Sequence, residues 1–281
     1  METNNAKKQV ITYLIIVFVV SIPWYILIYS NGGLEGGGEG WVLPLMWTPA
    51  LAGIITALIF QRSLRNMGWK FGKLKYYVIA YFLPIIYAAV AYGVVWLLGL
   101  GRVDTSLLGE NWILKILGTL TGGVLLSALS ALGEEIGWRG LLVPQMARLT
   151  PFARTALITG IIWGIWHIPL IIGGGYSSGA PTWWAISCFM VLIVGVSFPF
   201  AWLRLASGSL WPAVLLHAVH NIFIQSILDI MTVDTGNTEY FTTEFGLALA
   251  IMGVIVGVIF WQLGKSLDKP QEDIVEIGAS Q

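Results

Sequence analysis

The chain has 281 residues, 57% of them hydrophobic and 11% charged, with a mean hydropathy of +0.79. That leaves too little charge to cover a water-soluble globule, so the composition excludes that class and places the chain in lipid. A formal net charge of +0, with no basic run beyond the membrane-flanking positions, excludes a nucleic-acid partner, and the single cysteine, Cys188, excludes an internal disulfide framework or a multi-cysteine metal site.

Crossing about 30 Å of hydrocarbon takes roughly 20 apolar residues, because a helix satisfies its own backbone groups and rises 1.5 Å per residue. The first such window, 10–30, follows Lys7 and Lys8. It is too long for a signal-peptide core and runs into Trp24 and Tyr25 with no small-residue cleavage pattern, so it reads as a retained span. Windows 41–60 and 76–100 come next, and the prolines in the first and third spans predict kinks covered by neighbouring helices. The fourth window, 112–146, exceeds one crossing and carries Glu134, Glu135 and Arg139, so its second half is expected to tilt or to sit inside the bundle. Windows 154–172, 183–205, 210–231 and 245–263 complete the series; the first of these holds His167 and the third holds His217, His220 and Asn221. The expected fold is an all-α polytopic membrane bundle of about eight helices, one membrane domain over 1–281 with its polar motifs in 112–231. No inverted repeat of the transporter kind is visible.

Loop charge orients the bundle. Lys7, Lys8, Arg62, Arg65, Lys70, Lys73, Lys75, Arg148, Arg154, Arg204, Lys265 and Lys269 fall on alternate connections, whereas Glu35, Glu39, Asp104, Glu110, Asp234, Glu239 and Glu244 occupy the others, with Gly-rich stretches at 31–40 and 173–181. The positive-inside rule then makes both termini cytoplasmic. Tryptophans near span ends, among them Trp24, Trp41, Trp112, Trp183, Trp184 and Trp211, read as interface anchors. The tail 276–281 contains no cysteine and offers no prenylation site.

Ionisable groups inside a bilayer cost a few kcal/mol each and by default face a cavity or a bundle interior and act there. Counted from the connection at 148–154, Glu134 and His167 both lie roughly 20 Å along their helices, and His217 and Asn221 roughly 13 to 20 Å along theirs, a shared layer expected in the cytoplasmic half. Glu135 and Arg139 are one turn apart and face alike, while Glu134 points about 100° away. Arg139 can therefore pair with Glu135 and leave Glu134 facing a cavity, where desolvation makes it a stronger base. Glu134 with His167 can polarise water, and His217 with the Asn221 amide can donate to an oxyanion. Glu135 and Arg139 read equally as a structural ion pair or as a substrate contact. His220 reads as a helix-packing hydrogen bonder and stays outside the site. No serine or cysteine pairs with these histidines, so a covalent nucleophile is not indicated. The expectation is a site without a cofactor. Zinc held by glutamate and histidine is the alternative, set against the lack of HExxH and the poor ligand quality of Asn221.

Glu134-Glu135-Ile136-Gly137-Trp138-Arg139 resembles the EExxxR signature of the CAAX protease and bacteriocin-processing (CPBP, Abi-type) family, which includes the type II CAAX prenyl endopeptidases. Trp163-Gly164-Ile165-Trp166-His167 is similar to its FxxxH motif, with Trp163 in place of phenylalanine, and His217-Ala218-Val219-His220-Asn221 to its HxxxN motif. The resemblance implies a glutamic-type intramembrane peptidase in which Glu134 and His167 activate water, His217 and Asn221 stabilise the oxyanion, and Glu135 and Arg139 support the site or contact substrate. The implied partners are a prenylated CAAX-type protein or a leader or bacteriocin-type peptide, within membrane lipid; the compact chain without a luminal targeting tail points to a bacterial cell membrane, and the shared polar layer to cleavage near the cytoplasmic side. Two rival readings use the same residues: a bacteriocin-immunity or partner-binding protein that does not cut, and a proton-coupled transporter.

Overall fold

The computed structural model describes residues 2–268; Lys269 and the tail 276–281 lie outside the described residues. Eight helices are long and apolar enough to cross a membrane. In chain order they are α1 (Glu2–Ser30), α2 (Val42–Gln61), α3 (Leu74–Leu97), α4 (Trp112–Ala147), α5 (Phe152–Gly173), α6 (Thr182–Ser207), α7 (Trp211–Leu228) and α8 (Leu247–Gly264). The protein is a multi-pass, all-α membrane bundle, and each expected span is found within a few residues of its window, except that α1 starts well before its own. Pro23 and Pro84 sit inside α1 and α3.

Side-chain placement is that of a protein solvated by lipid. Leu125 and Leu126 are 73% exposed and Leu97 is 88% exposed, while Glu134, Glu135, Arg139, His217 and His220 are buried. α6 packs along α5 and α8, α2 along α1 and α4, and α7 along α3 and α4. A single large core runs between these pairs.

α4 is the element that departs from regular helix. It carries two π-helical turns, Thr119–Gly123 and Ile136–Leu142, and α7 carries a third, Ile224–Leu228. Such turns add a residue to the helical repeat and re-aim the side chains around them. The first half of α4 is largely exposed and the second is buried, with every residue of Ile136–Leu142 inside the bundle. Gly133 and Gly137 permit that burial. A Cβ at Gly137 would stand 2.4 Å from the Pro49 carbonyl oxygen, and one at Gly133 would stand 2.7 Å from that of Met46, so only glycine lets the two backbones meet here.

The connections interlock on both faces. On the acid-bearing face, Leu34 donates its N–H to Gly174 (2.8 Å), Ser178 donates to the Glu239 carbonyl (3.0 Å), and a short antiparallel pair, β1 (Arg102–Val103) with β2 (Thr232–Val233), ties two further loops. On the opposite face, Arg204 is not the free flanking charge that its position suggests. It is buried, donating from Nε to the Arg139 carbonyl (2.8 Å) and from Nη2 to that of Asn66 (3.1 Å). Through these two bonds Arg204 locks the motif turn of α4 to the 62–73 connection.

Candidate active site

The three sequence motifs converge on one cavity of about 230 Å³, lined among others by Glu134, Trp163, His167, His217 and Asn221. Its remaining wall is mostly apolar, from Leu45, Leu170 and Val196 among others.

The two adjacent glutamates part as helical geometry demands. Glu134 turns to the cavity, and its Oε2 accepts the indole N–H of Trp163 (2.8 Å) and that of Trp138 (3.3 Å). Glu135 turns into the bundle and is fully buried; its Oε1 accepts from Arg139 Nη1 (2.8 Å) and from His217 Nδ1 (2.9 Å). Its Oε2 has no hydrogen-bond partner among the described residues. The Arg139 guanidinium carbon lies 4.0 Å from the ring centroids of both Trp163 and Phe200, so two aromatic faces share its charge with the carboxylate. Arg139 thus makes an ion pair with Glu135 through Nη1 and lies against two aromatic faces.

Hydrogen bonds also fix the imidazoles. His167 Nδ1 lies 2.9 Å from the Trp163 carbonyl oxygen; a carbonyl only accepts, so Nδ1 carries the proton and Nε2 is left as an acceptor in the neutral ring. His217 Nδ1 donates to Glu135 in the same way, so its Nε2 can donate only when the ring is an imidazolium. Asn221 is half-buried at the cavity wall, and its side-chain amide forms no hydrogen bond among the described residues.

The layer is shared, as expected, but its depth differs. His167 lies six residues before Gly173, roughly 9 Å by helical rise, and fifteen after Phe152, roughly 22 Å. The cavity also reaches Leu34 and Tyr176 in the Gly-rich connections. It therefore extends toward the acid-bearing face rather than the Arg-rich one.

Glu244 belongs to this cavity and was not legible as such. Placed among the loop acids by sequence, it is buried, and it accepts from His220 Nε2 (2.8 Å), Tyr176 (2.5 Å) and Gln225 Nε2 (3.0 Å). Tyr87 donates to the other nitrogen of His220, so both ring nitrogens are taken, in keeping with a packing role. The signal available in the sequence was weak: a histidine at membrane depth with no partner on its own helix, followed by an acid directly before the next apolar window. Trp138, Trp163 and Trp166 are likewise core residues, against the interface role assigned to most tryptophans. Asp229, near the end of α7, is half-buried and accepts from Tyr92.

Among the described residues, no three of His, Cys, Asp and Glu gather as a metal-ligand set. One oxygen of each site carboxylate accepts from side-chain donors: Glu134 Oε2 from two indoles, and Glu135 Oε1 from a guanidinium and an imidazole.

Residues 116–223, which contain all three motifs, match the family model of the Rce1-like type II CAAX prenyl endopeptidases. A curated relative, a CAAX prenyl protease 2 from Methanococcus maripaludis, is 26% identical over 99 residues, covering 34% of this chain and 36% of the relative. The similarity thus spans about a third of that protein. The family resemblance read from the motifs is borne out over this segment, and it supports an endopeptidase.

Proposed function

With the motif-bearing segment similar to the Rce1-like CAAX endopeptidases, we propose that this protein is an intramembrane endopeptidase of the glutamic type. The observation that carries the reading is that Glu134 and His167 line one cavity, with the His167 proton fixed on Nδ1 by the Trp163 carbonyl. That leaves a carboxylate oxygen and an imidazole Nε2 to take the proton of a water attacking the scissile carbonyl. The oxyanion that forms is met by His217 Nε2–H, charged through its contact with Glu135, and by the Asn221 amide. Collapse of the tetrahedral intermediate returns the proton to the leaving amine. Formal charge balances within the site: Glu134 and Glu135 against Arg139 and the His217 imidazolium.

Metal-independent water activation is part of the proposal. The substrate is a peptide or lipidated-protein segment reaching the cavity within the membrane, of the prenylated CAAX type or the leader-peptide type. The protein is assigned to a bacterial cell membrane with both termini cytoplasmic. The test is cleavage of a labelled panel of prenylated and leader peptides by protein in liposomes, with and without chelator, comparing wild type with Asn221→Ala. Cleavage that survives chelation and falls roughly 100-fold or more in the variant, the size of one oxyanion donor, supports the reading. Cleavage abolished by chelator and restored by Zn²⁺ replaces water activation by glutamate with a metallopeptidase. Binding without cleavage of any peptide favours a protein that sequesters its partner.

A further inference from the structure

We propose that Trp163 is the positioning residue of the catalytic carboxylate: its indole N–H holds Oε2 of Glu134 so that Oε1 is presented to the cavity. The inference rests on the peptidase reading and deepens it. Both indole donors, Trp163 at 2.8 Å and Trp138 at 3.3 Å, fall on the same oxygen. Oε1 has no hydrogen bond among the described residues, yet it is not among the sealed, unpartnered atoms. Since Glu134 lines the cavity, that oxygen is reached from it. The carboxylate is therefore oriented by one edge and reactive at the other.

Trp163 also carries the second tether. Its own carbonyl oxygen fixes His167 Nδ1–H at 2.9 Å, so base and partner imidazole are both registered to one residue. The indole in turn cannot drift, because Arg139 stands 4.0 Å from its centroid and the His217 ring packs edge-on at 5.5 Å. A phenylalanine here would keep the wall but offer no donor.

The experiment uses Trp163→Phe and, as a shape control, 3-benzothienylalanine at position 163, in which sulfur replaces the N–H. Two readouts are taken on protein in liposomes. One is the titration of the Glu134 carboxylate, by infrared difference against Glu134→Gln, which needs no substrate. The other is kcat and KM across pH on a cleaved peptide. The expected result in both variants is a titration midpoint about one pH unit higher, as losing one charge-assisted bond warrants, a kcat roughly tenfold lower at neutral pH, and a KM within about twofold. An unchanged midpoint and kcat in the benzothienyl protein overturns the proposal, as does activity lost in Trp163→Phe alone, which assigns Trp163 to shape. If wild type cleaves nothing but the midpoint moves, the peptidase reading fails while the hold of Trp163 on the carboxylate stands. If Glu134→Gln abolishes cleavage and the midpoint stays fixed, the reverse holds.

Discussion

Two buried carboxylate–imidazole pairs meet the same helix, α7, three residues apart, and they are built differently. Glu135 faces His217 and Arg139 from within α4 and keeps one oxygen without a partner. Glu244 faces His220 from a connecting loop, and both of its oxygens and both ring nitrogens are taken. A saturated network rigidifies what it joins, here α7 and two acid-face loops, whereas the partly satisfied pair at Glu135 stays inside the bundle and reaches the cavity only through His217. Residue type alone does not separate the two; the count of satisfied atoms does.

The comparison breaks most readily at Glu135. Glu135→Gln removes the charge opposite both Arg139 and the His217 imidazolium. Peptide cleavage is expected to fall at least about 100-fold, with a stability loss of about 3–5 kcal/mol for a broken buried pair, read as initial rate and as thermal melting in detergent. Gly137→Ala tests the seat of this pair without touching its charge. Its Cβ meets the Pro49 carbonyl, and overpacking of this kind costs about 1–3 kcal/mol, so melting drops and activity falls with the displaced α4.

At the second pair, effects should be smaller and fall on stability. Glu244→Gln keeps shape and loses charge-assisted bonds; a loss of about 1–3 kcal/mol is expected, with cleavage changed less than about tenfold, far below the loss at a general base. Burial pushes the Glu244 carboxyl up, but the bonds from His220, Tyr176 and Gln225 outweigh it and hold it at about 2, below its ordinary 4.5. A group depressed on folding stabilises above its unfolded value and loses that contribution as pH falls through its folded value. The latch therefore weakens between about 4.5 and about 2. Protease nicking of the 229–246 loop should rise over that window in wild type and show no such pH step in Glu244→Gln. The smallest change is Tyr176→Phe, which removes one of three donors and should lower stability by about 1 kcal/mol with kcat within about twofold.

Spans and facing were legible in the sequence because both depend on regular repeats: an apolar window set by bilayer thickness, and the 100° step that divides Glu134 from Glu135. Depth was misjudged although the count was sound: roughly 20 Å from the 148–154 connection lies beyond the middle of an about 30 Å crossing, which places His167 in the far half of α5. Glu244 escaped because a loop acid beside other acids looks like a flanking charge, and only tertiary contact turns it inward. Arg204 escaped for the same reason at the other face. At Trp163 the sequence showed only an aromatic in place of phenylalanine, since spacing gives a ring its place but not the direction of its N–H.

The most direct test of the account is cleavage by wild type, Glu134→Gln and His167→Ala in liposomes on the best peptide of the panel, with melting curves recorded in parallel. The account predicts folded variants whose rates fall about 10²-fold or more. Wild-type rates in Glu134→Gln would contradict it.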